Sequence, residues 1–206
     1  MIATQDIALK NFFRKKIVLN DHNLPSKGPF ILAPTHRSRW DGLMITMAAG
    51  RRITKKDCRF MVTHSEMNGI QGWFLNRLGC FPIHQGYPTL LSMRYALDLI
   101  LANEQLVVFP EGKINRTGKE IPLKQGLIRL AQLSLRQGAK VHVIPVGVGY
   151  SEMIPNLLGK AALCFGKPLI VDKLGKAAAL EFNLELRKRM HAAEKIALKN
   201  VGRVVS

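Results

Sequence analysis

Two residues in the stretch from Phe30 to Asp41, which reads Phe-Ile-Leu-Ala-Pro-Thr-His-Arg-Ser-Arg-Trp-Asp, have types and spacing suited to chemistry: His36 and Asp41. A carboxylate on one imidazole nitrogen fixes the tautomer and stabilises the imidazolium, so that the other nitrogen can take a proton from a substrate hydroxyl. The pair fits a general base and its orienting partner. It fits equally a loop histidine beside an aspartate that caps a helix. A second stretch runs Phe109-Pro110-Glu111-Gly112-Lys113-Ile114-Asn115-Arg116-Thr117-Gly118. A carboxylate in a strand-end loop, beside glycine and the cations Lys113 and Arg116, can hold a polyol hydroxyl while the cations neutralise a phosphate. A surface turn has the same composition.

The elements that must position these groups follow from the hydrophobic pattern. Phe30, Ile31 and Leu32 form a short apolar run expected as a buried strand; Pro34 stops it, and Asp41-Gly42 opens a helix over Leu43 to Ala49. Leu106 to Phe109 reads as a strand broken by Pro110-Glu111-Gly112. Further strands are expected at Cys58 to Thr63, Gly79 to His84 (ended by Gln85-Gly86), Val141 to Val148, Leu163 to Phe165 and Leu169 to Val171. Helices are expected over Ile7 to Leu19, from Pro88 through Met93, Leu97, Ile100 and Leu101, over Lys124 to Arg136, and around Leu186, Met190, Ala193 and Ala197. This alternation predicts an α/β fold in one domain, with a central, mostly parallel or mixed sheet flanked by helices.

Three segments carry a choice. Residues 1–27 are expected as a basic amphipathic helix and loop, with Leu9, Phe12, Phe13 and Ile17 on one side, Lys10, Arg14 and Lys15 elsewhere, and Lys16 intruding on the apolar sector. Such a helix either lies in a membrane interface or packs on the core. Arg51, Arg52, Lys55, Lys56 and Arg59 form a basic cluster, a solvated face or a set of phosphate contacts. Ile70, Trp73, Phe74 and Leu75 either pack as core or line an apolar pocket.

Composition bounds the partners. The 206 residues are 47% hydrophobic, enough for a sizeable core, and 31 Lys and Arg against 14 Asp and Glu give a net charge of +17. That field attracts polyanions: nucleic acid, anionic lipid, phosphorylated cofactors or acidic carrier proteins. Three widely spaced cysteines form neither a disulfide framework nor a zinc pattern and suit a reducing compartment. With no apolar run of membrane-spanning length and no secretory leader, the chain is expected to be soluble or peripherally bound.

The pairing of His36-x-x-x-x-Asp41 with Phe109-Pro110-Glu111-Gly112 resembles the glycerolipid acyltransferase family, which contains the bacterial 1-acylglycerol-3-phosphate acyltransferases. Gly79-Cys80-Phe81-Pro82-Ile83, Pro122-Leu123-Lys124-Gln125-Gly126, Val143-Ile144-Pro145-Val146 and Phe165-Gly166-Lys167-Pro168 resemble its further blocks in the right order, covering roughly residues 28 to 172. The resemblance implies a glycerol-3-phosphate acyltransferase-like fold, with the acyltransferase domain over 28–206. It implies transfer of a fatty acyl group from acyl-CoA or acyl carrier protein, as co-substrate, to a glycerol hydroxyl, without an acyl-enzyme. His36 would be the general base and Asp41 its orienter. Glu111, Gly112, Lys113, Arg116 and Arg39 would bind substrate. Neither cofactor nor metal is implied; the partners would be the donor, a lysophospholipid acceptor and an anionic membrane surface. With this resemblance the expected location becomes cytoplasmic, peripheral on the cytoplasmic face of the membrane.

Two departures bear on the acceptor. Where the family commonly carries arginines associated with the acceptor phosphate, this chain has His84-Gln85 and Lys113-Ile114. Lys113 and Arg116 can substitute, although lysine is a point charge without the bidentate fork of arginine. Another lysophospholipid, glycerol 3-phosphate or a non-phosphate acceptor therefore stays open. A nucleic-acid binder or a non-catalytic membrane adaptor is the alternative from another class; against the former, no recognised module and no aromatics interleaved with the basic clusters are present.

Overall fold

A computed structural model of the chain describes residues 2–83, 90–117 and 119–203. The expected features at His84, Gln85, Gly86, Pro88 and Gly118 lie outside the described residues, as does the side chain of Phe74. The helices are α1 (Ile2–Phe12), α2 (Asp41–Ala49), α3 (Arg51–Thr54), α4 (Gly69–Arg77), α5 (Leu90–Leu101), α6 (Gly126–Arg136) and α7 (Lys176–Asn200). The strands are β1 (Phe13–Leu19), β2 (Phe30–Pro34), β3 (Cys58–Thr63), β4 (Phe81–Ile83), β5 (Gln105–Val107), β6 (His142–Tyr150), β7 (Gly159–Phe165) and β8 (Leu169–Ile170).

Among the described residues these strands form one mixed sheet in the order β1-β7-β6-β2-β5-β3-β4, with β8 also pairing with β6. The pairs of β2 with β5 and β6, of β3 with β4 and β5, and of β1 with β7 are parallel. β7 and β8 run antiparallel to β6. The mixed sheet flanked by helices is the architecture expected from the sequence.

Every residue of β2 is buried, as a central strand covered on both faces requires. Its alternate side chains serve two cores. Phe30 and Leu32 pack with Leu9, Phe13, Met44 and Ile45 on one face. Ile31 and Ala33 pack on the other with Ile100, Leu130, Leu186 and Met190, from α5, α6 and α7. Because β2 and β5 are adjacent and parallel, the loops leaving them emerge at the same edge of the sheet. This is the carboxyl edge at which open α/β sheets bind ligands. The two chemical stretches are thereby neighbours.

α7 lies directly along β6, and two glycines make that approach possible. A Cβ on Gly147 would stand 2.0 Å from the Glu194 nitrogen, and one on Gly149 would stand 2.8 Å from the Ala197 carbonyl carbon. Any side chain at Gly147 must push the helix away.

Three expectations are corrected. The N-terminal helix ends at Phe12 rather than Leu19: residues Phe13–Leu19 form β1, pairing with β7. Tertiary pairing overrides the helical spacing because the β7 edge needs backbone partners, and β-branched Ile17 and Val18 suit a strand. Lys16, which intruded on the helical stripe, instead turns back and donates to the carbonyls of Leu9 and Phe13 at the end of α1, at 3.3 and 3.4 Å. The basic cluster of Arg51, Arg52, Lys55 and Lys56 lies between the end of α2 and the start of β3, with Arg59 inside β3, at the amino edge of the sheet, away from His36. There Arg51 pairs with Asp57 and Arg52 with Asp6. Finally, α6 begins at Gly126 rather than Lys124, because the Lys124 amide donates to the Pro110 carbonyl at 2.7 Å.

Candidate active site

Thr35 links the end of β2 to His36, and Asp41 opens α2. The five-residue excursion folds back so that His36 Nδ1 lies 2.8 Å from Asp41 Oδ2. A carboxylate only accepts, so Nδ1 carries the hydrogen and Nε2 is left with its lone pair. Asp41 Oδ2 also accepts the Arg37 and Ser38 amides at 2.7 and 2.9 Å, which locks the loop around the imidazole. The helix-cap reading of Asp41 is not realised: Trp40 stands at the cap position of α2 with no side-chain cap bond, and the amides that Oδ2 accepts belong to the loop before the helix. The His36 ring stacks on Phe109, with centroids 4.0 Å apart, while its side chain remains 21% exposed. The imidazole is rigid and reachable.

Sequence reasoning missed Tyr150. This residue ends β6, and its buried hydroxyl donates to Asp41 Oδ1 at 2.6 Å. Burial and then the Asp41 carboxylate push the phenol well above its ordinary value, so it stays protonated and remains a donor. No spacing in the sequence links position 150 to position 41; the register of β6 against β2 does.

Arg37 was missed as well. Its guanidinium reaches to the opposite face of the sheet, where Nε and Nη2 pair with Glu194 of α7 and Nη1 pairs with Glu111 at 2.8 Å. All three side chains are buried. Burial works against the charge on Arg37, but the Glu194 and Glu111 carboxylates outweigh it and raise the guanidinium above its ordinary value. Burial likewise opposes ionisation of Glu194, yet His191 and Arg37 bring it below the ordinary carboxylate range. For Glu111 burial wins over the pull of Arg37, and its carboxyl is raised. Glu111 therefore sits behind the loop that carries His36, tied to Arg37. The His36 carbonyl accepts the Asn115 amide at 2.7 Å and Arg37 Nη1 at 3.2 Å, which stitches the loop after β2 to the loop after β5.

The remaining candidates spread around this core. Gly112 takes a φ of +71°, open to glycine, in the turn beside the Lys124 stem. Lys113 and Arg116 are exposed on the same loop. Arg116 lines a cleft shared with Tyr150, Met153, Lys195 and Arg203, on the α7 side. Arg39 is largely exposed, 3.7 Å from Glu66. Ile70 and Trp73 of α4 are exposed rather than core, whereas Leu75 packs partly against it.

Comparison with known proteins places this geometry in a family. The 1-acyl-sn-glycerol-3-phosphate acyltransferase of Bacillus subtilis (strain 168) is 29% identical over 155 residues, 74% of this chain and 72% of that protein. The protein of the same description from Streptococcus pneumoniae (strain ATCC BAA-255 / R6) is 24% identical over 163 residues, 76% of this chain and 56% of its own length. The crystal structure of the 1-acyl-sn-glycerophosphate (LPA) acyltransferase from Thermotoga maritima superposes with a TM-score of 0.67 over 98% of this chain and 76% of that one, at 19% identity, a likeness of fold. Residues 16–149, which hold His36, Asp41 and Glu111, match the model of the acyltransferase family, and the chain belongs to that family as an acyl-transferring enzyme.

Proposed function

We propose that this acyltransferase moves a fatty acyl group from acyl-CoA or acyl carrier protein to the free hydroxyl of 1-acylglycerol 3-phosphate, making phosphatidic acid at an anionic membrane surface. The observation that carries the reading is the His36–Asp41 hydrogen bond of 2.8 Å with Nε2 left free. His36 Nε2 takes the proton of the acceptor hydroxyl as its oxygen attacks the thioester carbonyl. The tetrahedral intermediate collapses with loss of the thiolate, which the imidazolium reprotonates. Asp41 holds the tautomer and faces the cation that forms. Glu111 sets Arg37 and, with Gly112, shapes the acceptor loop; Lys113, Arg116 and Arg39 supply positive charge to the acceptor phosphate.

Lys113 and Ile114, in place of the family's usual pair, favour a second reading in which the acceptor is another lysophospholipid or glycerol 3-phosphate. The test is acyl transfer by purified protein from palmitoyl-CoA, and separately from palmitoyl carrier protein, to lysophosphatidic acid, glycerol 3-phosphate and lysophosphatidylglycerol. Product from lysophosphatidic acid supports the first reading; product only from another acceptor moves the substrate and keeps the chemistry. His36→Ala should lower turnover by about 10² to 10⁴-fold while leaving the melting curve in place. Asp41→Asn should also be impaired, through tautomer and charge. A folded His36→Ala with near-normal turnover would remove His36 as the base.

A further inference from the structure

Exposed large apolar side chains cluster at the carboxyl edge of the sheet on both sides of the catalytic loop. After β6, the connection to β7 presents Met153, Ile154, Leu157 and Leu158, each between 53 and 65% exposed. This loop is held by its own bonds. The Ser151 amide donates to the Lys160 carbonyl at 3.0 Å, the Lys160 amide to Ser151 Oγ at 3.0 Å, and the Leu158 amide to the Phe12 carbonyl at 2.7 Å. Leu158 adopts a φ of +61°, an arrangement costly for leucine, and its side chain remains outside the core. Phe12 in turn stacks on Trp40, the residue before Asp41, at 4.1 Å. The apolar loop is therefore fastened to the catalytic loop through one ring pair.

On the other side, α4 begins past the carboxyl end of β3 and exposes Ile70 and Trp73, at 87 and 60%. In strand order the β6 loop and the β3 connection straddle β2 and β5, whose loops carry His36 and Glu111. Cations accompany both protrusions. Arg116, Lys195 and Arg203 line the cleft that Met153 borders, and the Arg77 guanidinium lies 4.5 Å over the Trp73 ring.

We propose that this edge of the molecule seats on an anionic lipid bilayer, with the Met153–Leu158 loop and the Ile70–Trp73 face of α4 entering the interface and the cleft of Arg116, Lys195 and Arg203 meeting headgroup phosphates. Apolar groups ringed by cations fit that surface: the apolar chains leave water while the cations meet lipid charge. A further apolar patch of comparable exposure is more acidic. Leu174, Leu180 and Leu184, near the start of α7, stand among Asp172, Glu181 and Glu185, with Lys173 and Lys176 beside them. Their neighbour β8 pairs with the first residues of β6, at the far edge of the sheet. The seating brings His36 to the lipid surface, and it rests on the reading of the acceptor as a membrane lipid.

The experiment is co-sedimentation of the full chain with vesicles of phosphatidylcholine alone and of phosphatidylcholine with phosphatidylglycerol in equal parts. The unsubstituted chain and His36→Ala should bind the mixed vesicles alike and the neutral ones more weakly. Ile154→Asp/Leu157→Asp and Ile70→Asp/Trp73→Asp should each lower binding to mixed vesicles at least about tenfold. Leu180→Asp/Leu184→Asp, at the far edge, should leave it unchanged. Brominated acyl chains should quench the emission of the unsubstituted chain, and Trp73→Phe should reduce that quenching, Trp40 beside the Met153–Leu158 loop supplying the remainder. Unchanged binding by the two carboxyl-edge variants, or an equal loss in the far-edge variant, overturns the proposal. Transfer to a short-chain, water-soluble lysophosphatidic acid separates the two readings. Retained transfer in Ile154→Asp/Leu157→Asp with lost vesicle binding supports the seating. Loss of binding in that variant when the unsubstituted chain acylates no acceptor leaves the seating standing and overturns the substrate assignment instead.

Discussion

The Tyr150 hydroxyl and the His36 imidazole hold opposite oxygens of one carboxylate: Tyr150 donates to Asp41 Oδ1 at 2.6 Å and His36 Nδ1 to Oδ2 at 2.8 Å. Asp41 is fully buried, so its orientation is set from both ends by the protein and not by water. Tyr150→Phe strips Oδ1 of this donor without changing the ring's packing on Phe13. The expected cost is about 1.5–3 kcal/mol of stability, as for a lost hydrogen bond to a charged group. It should be accompanied by a fall in kcat larger than any change in KM, because the base is misaligned rather than the acceptor lost. Urea unfolding and steady-state kinetics check both; a variant unchanged in either respect would reduce Tyr150 to packing.

Glu194 gives a pH signature. Its native value is below the ordinary carboxylate range, so its pairing with Arg37 contributes stability above the unfolded value of about 4.3 and loses it as pH falls through the native one. Glu111 acts in the opposite sense: its raised carboxyl takes a proton earlier on acidification and relieves the cost of burying its charge. Glu194→Gln should cost about 3–5 kcal/mol at neutral pH, the usual loss when one partner of a buried ion pair is removed. The gap from the unsubstituted protein should close below about pH 4. A gap that stays constant from neutral to acid would show that the carboxylate charge is not what Arg37 needs.

Gly147→Ala tests the contact between β6 and α7. Its methyl would stand 2.0 Å from the Glu194 nitrogen, a backbone atom that cannot rotate aside. Displacement of the helix should cost at least about 1–3 kcal/mol, as in other overpacked interiors, and should lower activity by drawing Glu194 from Arg37. Gly126→Ala, where a Cβ meets nothing within 4 Å, is the matched control and should be neutral or better.

Burial pushes the thiols of Cys58 and Cys80 up to about 12, and Cys164 is enclosed as well. A raised thiol value means the neutral form, not the reactive thiolate, at mildly alkaline pH. Ellman's reagent should find almost no thiol in the folded protein and all three after denaturation. A fast native reaction would contradict the packing around β3 and β4.

The strands of the central sheet were legible because local signals agreed with the tertiary demand. Cys58–Thr63 reads as a strand from its residues alone and forms β3 over those bounds. The buried face of α7, with Leu186, Met190, Ala193 and Ala197, follows its helical spacing. β1 was not legible: its apolar residues also satisfy a helix, and only the unpaired edge of β7, far away in the chain, decides. The His36–Asp41 pair was visible because five residues separate its members. Tyr150, Glu194 and the task of Arg37 were hidden, because bonds spanning 109 and 157 positions leave no mark in residue spacing.

The bond from Arg37 to Glu194 crosses 157 positions and lands in α7. During synthesis, the loop that carries His36 emerges before its counter-charge, which is translated 157 positions later. Until α7 leaves the ribosomal tunnel, Arg37 has only Glu111 to face, and the groove of β6 around Gly147 lies open. Assembly of this loop therefore waits for α7, and a nascent chain halted before residue 194 should carry both His36 and Asp41 yet lack the Arg37–Glu194 clamp behind them.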